Sequence, residues 1–369
     1  MVSFRIAHED FKVGIVAGRY ITPDQIFDIY SSFPDTVKIS YLGESVEGRP
    51  IYKTVLGEGS RKILMWSHMH GNESTSTKAV LDLINFLSKP GELSDELLNI
   101  CQFQIIGMLN PDGAKRYTRE NALGIDLNRD AKELTQPESR ILRTVYEEFK
   151  PDFCFNLHDQ RTLYNVGNTS TPATLSFLAP ASDPKREIDA SREASMQIIA
   201  AINKEIQKEL PSSVGRYDDS FNPNCIGDYI QMQGTSSILI EAGHYPEDYE
   251  REVTRMYFFQ ALVAAITAIA RDSYQQFDIQ DYFNIPENGK KFFDILIKNV
   301  ELQGSESKKR EDIGIQFREE LHNGQISFVP FIQERGELGD RFGHKTYDFQ
   351  VAKDREFVFN SDFGKLLKI

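Results

Sequence analysis

Ile63-Leu64-Met65-Trp66-Ser67-His68-Met69-His70-Gly71-Asn72-Glu73 carries an apolar run directly into two side chains of metal-binding type, His70 and Glu73. Beyond them Val80, Leu81, Leu83, Ile84 and Leu87 recur at the spacing of an amphipathic helix over 74–87. The run at 63–67 therefore reads as a buried strand, and the histidine and glutamate sit where it gives way to a helix. Catalytic zinc sites take three nitrogen or carboxylate ligands and leave a fourth position for water. A short spacer supplies two of the three, so the third must come from elsewhere. His-x-x-Glu also arises by chance, and the rest of the chain decides between a metal site and a structural pair.

Upstream, Thr22-Pro23-Asp24-Gln25 offers an N-cap, a proline at the first helical position and a glutamine three residues after the cap, which predicts a short helix through about residue 31. Extended segments at 37–42 and 50–56 flank Gly43-Glu44-Ser45-Val46-Glu47-Gly48-Arg49, predicting an early hairpin. Downstream the pattern predicts strands at 103–109, 153–157 and 237–240, and helices at 137–149, 187–209 and 248–270. Such alternation means an α/β sheet covered by helices. In sheets of this kind ligands gather beyond the carboxyl ends of strands. His70 and Glu73, the loop Asn110-Pro111-Asp112-Gly113, His158 and Glu241 each follow a different predicted strand. His68 is a neighbour that competes with His70; on a strand the two would face the same side.

After Asp281 the character changes. Pro286-Glu287-Asn288-Gly289 punctuates the chain, and alternating runs at 293–300, 313–317, 326–332 and 347–351 predict strands. The expected division is a larger catalytic-type domain over 1–280 and a small β-rich module over 286–369. That module carries no chemical motif, and His322 and His344 read as solvated or core-edge residues.

With 369 residues and 40% apolar content the chain can bury a sizeable core. It has 55 acidic and 42 basic residues, a net charge of −13, which argues against nucleic acid or an anionic membrane as a partner. Cys101, Cys154 and Cys225 are scattered and odd in number, unlike a disulfide framework. The apolar stretch 258–270 falls short of the roughly 18 residues of a spanning helix, and Gln260 and Thr267 interrupt it, so a packed core helix is expected. Met1 to Asp10 turns charged before an apolar run develops. The expectation is a cytoplasmic protein without a signal peptide. Nothing in the sequence indicates an oligomeric state.

His158, in Phe155-Asn156-Leu157-His158-Asp159-Gln160, comes 85 residues after Glu73 at the end of an apolar run. Two ligands close together and one remote is a familiar layout for catalytic zinc. Between them lie Asn110-Pro111-Asp112-Gly113, Arg119-Glu120-Asn121 and Gly124-Ile125-Asp126-Leu127-Asn128-Arg129. With these motifs, and with the 43–49 turn ahead of them, the chain resembles the zinc carboxypeptidase (metallocarboxypeptidase) family over residues 41–270. The resemblance implies a three-layer α/β/α fold with a mixed central sheet. It also implies one zinc ion per chain held by His70, Glu73 and His158, and a peptide or amide substrate with a free carboxylate.

The same resemblance implies individual roles. Glu241, in Ile238-Leu239-Ile240-Glu241-Ala242-Gly243, would be the general base and then acid. Arg119 would polarise the substrate carbonyl and stabilise the oxyanion, and Asn128 with Arg129 would bind the terminal carboxylate. Asp126 would hydrogen-bond a ligand histidine and fix its tautomer. Read without the resemblance, Glu241 is a solvated cap or ion-pair partner and the arginines are surface ion pairs.

The chain also departs from the family pattern. For the family's mobile tyrosine, Tyr217 and Phe221 both stand open. The segment Cys225-Ile226-Gly227-Asp228-Tyr229 aligns with the specificity pocket and offers no plain acidic or basic selector, while Gly227 leaves space for a large side chain. Two other functions are compatible with parts of the pattern. One is a zinc-dependent N-acyl-amino-acid deacylase of the aspartoacylase or succinylglutamate desuccinylase type, whose motif also begins His-Gly-Asn-Glu; the 110–113 segment favours the peptidase. The other is a carboxylate-binding module without turnover, against which the intact ligands and Glu241 argue.

Overall fold

In the computed structural model, which describes residues 6–301, and 310–367, Ile63 and Met65 pack into one apolar cluster, while Leu64 and Trp66 pack into another. Successive strand residues point to opposite faces, and all four side chains are fully buried, so this strand is covered on both sides. Each such burial stabilises by about 1.5–3 kcal/mol. The N-terminal expectation begins at Met1 and so falls partly outside the described residues.

In chain order the first nine strands are β1 (Lys38–Glu44), β2 (Pro50–Leu56), β3 (Arg61–Trp66), β4 (Cys101–Ile106), β5 (Phe153–Asp159), β6 (Asn165–Val166), β7 (Leu175–Leu178), β8 (Val214–Arg216) and β9 (Ser236–Ala242). All but β6 form one sheet in the order β1-β2-β4-β3-β5-β9-β7-β8. β4, β3, β5 and β9 run parallel, whereas β2 and β7 pair antiparallel at either side. The sheet is mixed, as expected. From β3 the chain crosses to β4 on one side and then to β5 on the other, which opens a topological switch point at the carboxyl ends of β3 and β5.

The helices are α1 (Pro23–Ser32), α2 (Thr75–Ser88), α3 (Glu92–Ile100), α4 (Pro111–Arg116), α5 (Pro137–Phe149), α6 (Ala190–Ile206), α7 (Ile226–Met232), α8 (Glu252–Ala270), α9 (Ile279–Phe283) and α10 (Ala352–Asn360). Apolar residues of α1, α2, α3, α6 and α8 join Ile63, Met65, Phe155 and Ile238 in one cluster. Those of α5 and α7 join Leu64, Trp66 and Cys154 in the other. These are the two outer layers. The predicted box at the start of α1 is present: Thr22 Oγ1 accepts from the Gln25 amide, and Gln25 Oε1 accepts from the Thr22 amide. α8 exceeds the apolar run read from sequence; its 19 residues are long and apolar enough to cross a membrane, yet 72% of its apolar window is buried.

A second sheet follows, built from β11 (Phe292–Glu301), β12 (Arg310–His322), β13 (Gln325–Gly336) and β14 (Phe342–Asp348), in the order β13-β12-β11-β14; β10 (Asn288–Gly289) pairs instead with β6. Its own core includes Ile295, Ile297, Ile313, Ile315 and Val358. The last strand lies earlier than the predicted 347–351, because Val351 is already the residue capping α10. The helix expected over 187–209 is shorter, since the Asp189 side chain accepts from the Arg192 amide and starts α6 there.

Candidate metal centre and active site

The turn after β3 is tightly built. His68 is not on the strand: its φ of 53° places it in the left-handed region, and its ring is buried against Thr77 Oγ1 and Gly71 O, at 3.1 and 3.0 Å. It thus tethers the loop to α2 and is not one of the converging donor atoms. A Cβ on Gly71 would lie 1.9 Å from the carbonyl carbon of Gly113. The loop carrying His70 and the 110–113 loop therefore touch backbone to backbone, and a side chain at 71 would separate them. Asn110 reinforces the contact: its amide nitrogens, side-chain and main-chain, donate to Met69 O and His68 O. Asp112, fully buried, accepts from Ser45 Oγ, the Glu47 amide and Arg49 Nη1, so the 43–49 turn is fastened to the same loop.

His158 and Glu241 lie inside strands rather than after them. β5 runs to Asp159 and β9 to Ala242, and His158 stands directly opposite Glu241 in the β5–β9 register. Paired residues on adjacent strands share a face.

Three potential ligands meet at this edge. His70 Nδ1 is 2.8 Å from Glu73 Oε1, His158 Nδ1 is 2.9 Å from Glu73 Oε2, and the two Nδ1 atoms are 3.1 Å apart. All three residues are buried, and this is the one such metal-ligand group among the described residues. Around a tetrahedral ion with bonds of 2.0–2.1 Å, neighbouring donors sit about 3.3 Å apart, so small shifts close this set on zinc. His70 Nε2 donates to Asp126 Oδ1 at 3.0 Å, which leaves Nδ1 aimed at the other donors. Burial acts to lower the His70 pKa, but Glu73 and Asp126 outweigh it and raise it. The site is built to hold positive charge, and the donor set fits zinc.

Asp126 is itself clamped. Arg119 Nε and Nη2 donate to its Oδ2 at 3.2 and 3.0 Å, while Arg119 Nη1 reaches to 3.4 Å from Glu73 Oε1. Although burial opposes it, the His70 hydrogen bond and the Arg119 charge hold the Asp126 carboxyl well below its usual range. Glu73 behaves likewise: burial acts to raise it, and the His70 and His158 rings pull it far down. Glu241 goes the other way. Burial, then the charges of Glu73 and Asp159, push its pKa well up.

A cleft of about 350 Å³ collects His70, Glu73, Arg119, Asn128, Arg129 and Glu241 on its walls. Asn128 Oδ1 accepts from the Ile226 amide at 3.1 Å, which ties it to α7. Arg129 is exposed and donates to Asn128 O and Cys225 Sγ at 2.7 and 3.0 Å. Among the described residues no carboxylate pairs with it.

One contributor, Asp159, escaped the sequence reading, and one choice that it left open, Tyr217 or Phe221, is narrowed by the geometry. Asp159 accepts from the amides of Thr75 and Ser76 at 2.7 and 2.9 Å, and its own amide donates to Glu73 Oε2. It anchors the start of α2, and with it Glu73, to β5. Its position right after His158 was the available signal. Tyr217 lines the cleft, its hydroxyl donating to Gln160 Oε1 at 2.7 Å, and Phe221 is not among the lining residues. Between the two candidates for the tyrosine position, the geometry favours Tyr217.

A family model described as zinc carboxypeptidase matches residues 25–221, a span that contains the three donors, Arg119, Asp126, Asn128 and Arg129 but stops short of Glu241. The protein named "Probable carboxypeptidase 2" of Trichophyton verrucosum is 24% identical over 200 residues, 52% of this chain and 36% of that protein. The match thus spans little more than a third of that relative. Among solved structures, a metallo-carboxypeptidase from Burkholderia cenocepacia superposes with a TM-score of 0.55 at 19% identity, over 69% of this chain and 70% of that one. Carboxypeptidase A from Helicoverpa armigera gives 0.52 at 19%, over 67% and 72%. At such identities the superpositions establish the fold.

Proposed function

This chain belongs to the zinc carboxypeptidase family, and on that premise we propose that it hydrolyses the last peptide bond of a substrate with a free C-terminal carboxylate. The observation that carries this proposal is Arg129, a guanidinium without a carboxylate partner among the described residues, in the same cleft as the metal donors and Glu241. A planar fork of donors suits two carboxylate oxygens, and Asn128 stands beside it to complete the clamp.

His70, Glu73 and His158 would hold the metal. Zinc, when bound, lowers the pKa of water toward 7 and polarises a carbonyl. Glu241 then has a defined task. Its raised proton affinity, set by burial and by Glu73 and Asp159, suits it to take a proton from the attacking water and return it to the leaving nitrogen. Arg119, fixed through Asp126, points Nη1 at the donor set, where it can stabilise negative charge growing on the substrate oxygen. Tyr217 lines the same cleft, and its hydroxyl would donate a hydrogen bond to the substrate on exchanging its bond to Gln160.

The test is a substrate panel given to the zinc-loaded protein: peptides with free C-termini, the same peptides C-terminally amidated, and N-acyl amino acids. Release of the last residue from the free peptides alone is the expected result. Hydrolysis of N-acyl amino acids alone would replace this proposal with the deacylase.

A further inference from the structure

A second cleft, of about 740 Å³, adjoins the first and lies between loops of the main body and the C-terminal sheet. Arg161 lines both clefts. Asn72, which separates the donors His70 and Glu73 in sequence, lines the second. From there the wall passes to Tyr249 of the main body and to Phe328 and Phe331 of β13, with Lys290 at the margin. The second cleft has more than twice the volume of the first, and it begins where the metal-binding loop ends.

The walls are fixed. Glu319 of β12 accepts from Arg161 Nη1 at 3.0 Å, Arg19 Nη2 at 3.0 Å and Tyr117 Oη at 2.5 Å. The C-terminal sheet therefore sets the side chain that borders both clefts. Tyr249 Oη donates to Asp294 at 2.9 Å, and its ring packs 5.3 Å from Phe328. Two groups in this region lack partners. The side-chain oxygen of Asn72 is buried with no hydrogen-bond partner among the described residues. Lys290 is exposed and has no carboxylate partner among the described residues; its Nζ stands 5.8 Å from the Tyr164 ring.

We propose that this second cleft binds the residues of the substrate chain upstream of the scissile bond, so that the C-terminal sheet is part of the substrate site. The inference rests on the carboxypeptidase proposal above. A peptide whose last residue is clamped by Asn128 and Arg129 and whose scissile carbonyl faces the metal donors must leave the first cleft past Arg161 and Asn72. An apolar or aromatic side chain of the upstream segment lies on Tyr249, Phe328 and Phe331, and an acidic side chain meets Lys290. The preferred substrate is thus a peptide of several residues with aromatic and acidic side chains before its end, and an N-acylated single amino acid leaves most of the site unused.

The experiment compares an N-blocked dipeptide with a hexapeptide that has the same last residue and carries phenylalanine and glutamate upstream. For the wild-type chain kcat/KM should be at least about tenfold higher for the hexapeptide, roughly 1.4 kcal/mol of added transition-state binding. Phe331→Ala and Lys290→Glu should each reduce that ratio several-fold. Binding is read separately by calorimetry in the Glu241→Gln background, where the hexapeptide should again bind more tightly and each substitution should narrow the difference. Cleavage of both peptides with a ratio near or below one, or a ratio that both substitutions leave intact, overturns the upstream site while leaving the carboxypeptidase proposal standing. No cleavage of either peptide, with length-dependent binding that both substitutions weaken, overturns the carboxypeptidase proposal and supports the cleft.

Discussion

Asp126 links the two charged ends of the site, since it accepts from His70 on one side and from the Arg119 fork on the other. Asp126→Ala should weaken zinc affinity by about 10–100-fold, measured by competition with a chelating dye; unchanged affinity would mean that the His70 ring is held by something else. The arginines separate by kinetics. Arg129→Ala should mainly raise KM for free-carboxylate peptides, whereas Arg119→Ala should lower kcat by about 10²–10³. Equal effects on both constants from both substitutions would dissolve that division. His70 and Glu73 were legible in the sequence because one strand–helix junction presents both. His158 and Glu241 were legible as polar residues closing apolar runs, though each sits within its strand. Asp159 was not read as part of the site, and Tyr217 was left open against Phe221, because their contacts are made 84 and 57 residues away, where local spacing does not separate the alternatives.

At the scale of elements, the site depends on the close approach of two loops. Gly71→Ala would force its Cβ into the backbone of Gly113. It should cost about 1–3 kcal/mol of stability and lower zinc affinity with it, read by thermal unfolding with and without zinc. A stable variant with wild-type affinity would show that the loops tolerate separation. Long elements with clear periodicity, such as α2, α5 and β3, were readable because burial imposes the pattern. Short ones were not: β8 has three residues and α7 seven, too few to display a period. At the C-terminal end the alternation continued past Asp348, but Asp348 Oδ1 accepts from the Gln350 amide and turns the chain toward α10, so the strand ends early.

For the whole molecule the decisive feature is how the C-terminal sheet docks. Its apolar runs marked it as β structure, yet a sequence gives no sign that Glu319 enters the main body. Burial acts to raise the Glu319 carboxyl, but Arg19 and Arg161 outweigh it and bring it down to about 2, from an ordinary 4.5. A lowered carboxyl pKa stabilises the fold fully above the ordinary value and less as pH falls toward the folded one. The wild-type chain should therefore be more stable than Glu319→Gln by roughly 3 kcal/mol near pH 7, since Arg19 loses its buried partner. That advantage should shrink between about pH 4.5 and 2 in thermal unfolding. A difference independent of pH would remove the ionic explanation.

Zinc content and peptide hydrolysis, measured side by side for the wild-type chain and Glu241→Gln, bear on the site, its elements and the whole fold together. One zinc per chain in both proteins, with release of the C-terminal residue slowed at least about 10²-fold in the variant, is the expected result. Equal release by both, or a wild-type chain that takes up no zinc when zinc is in excess, would contradict Glu241 as the base or His70, Glu73 and His158 as the metal site.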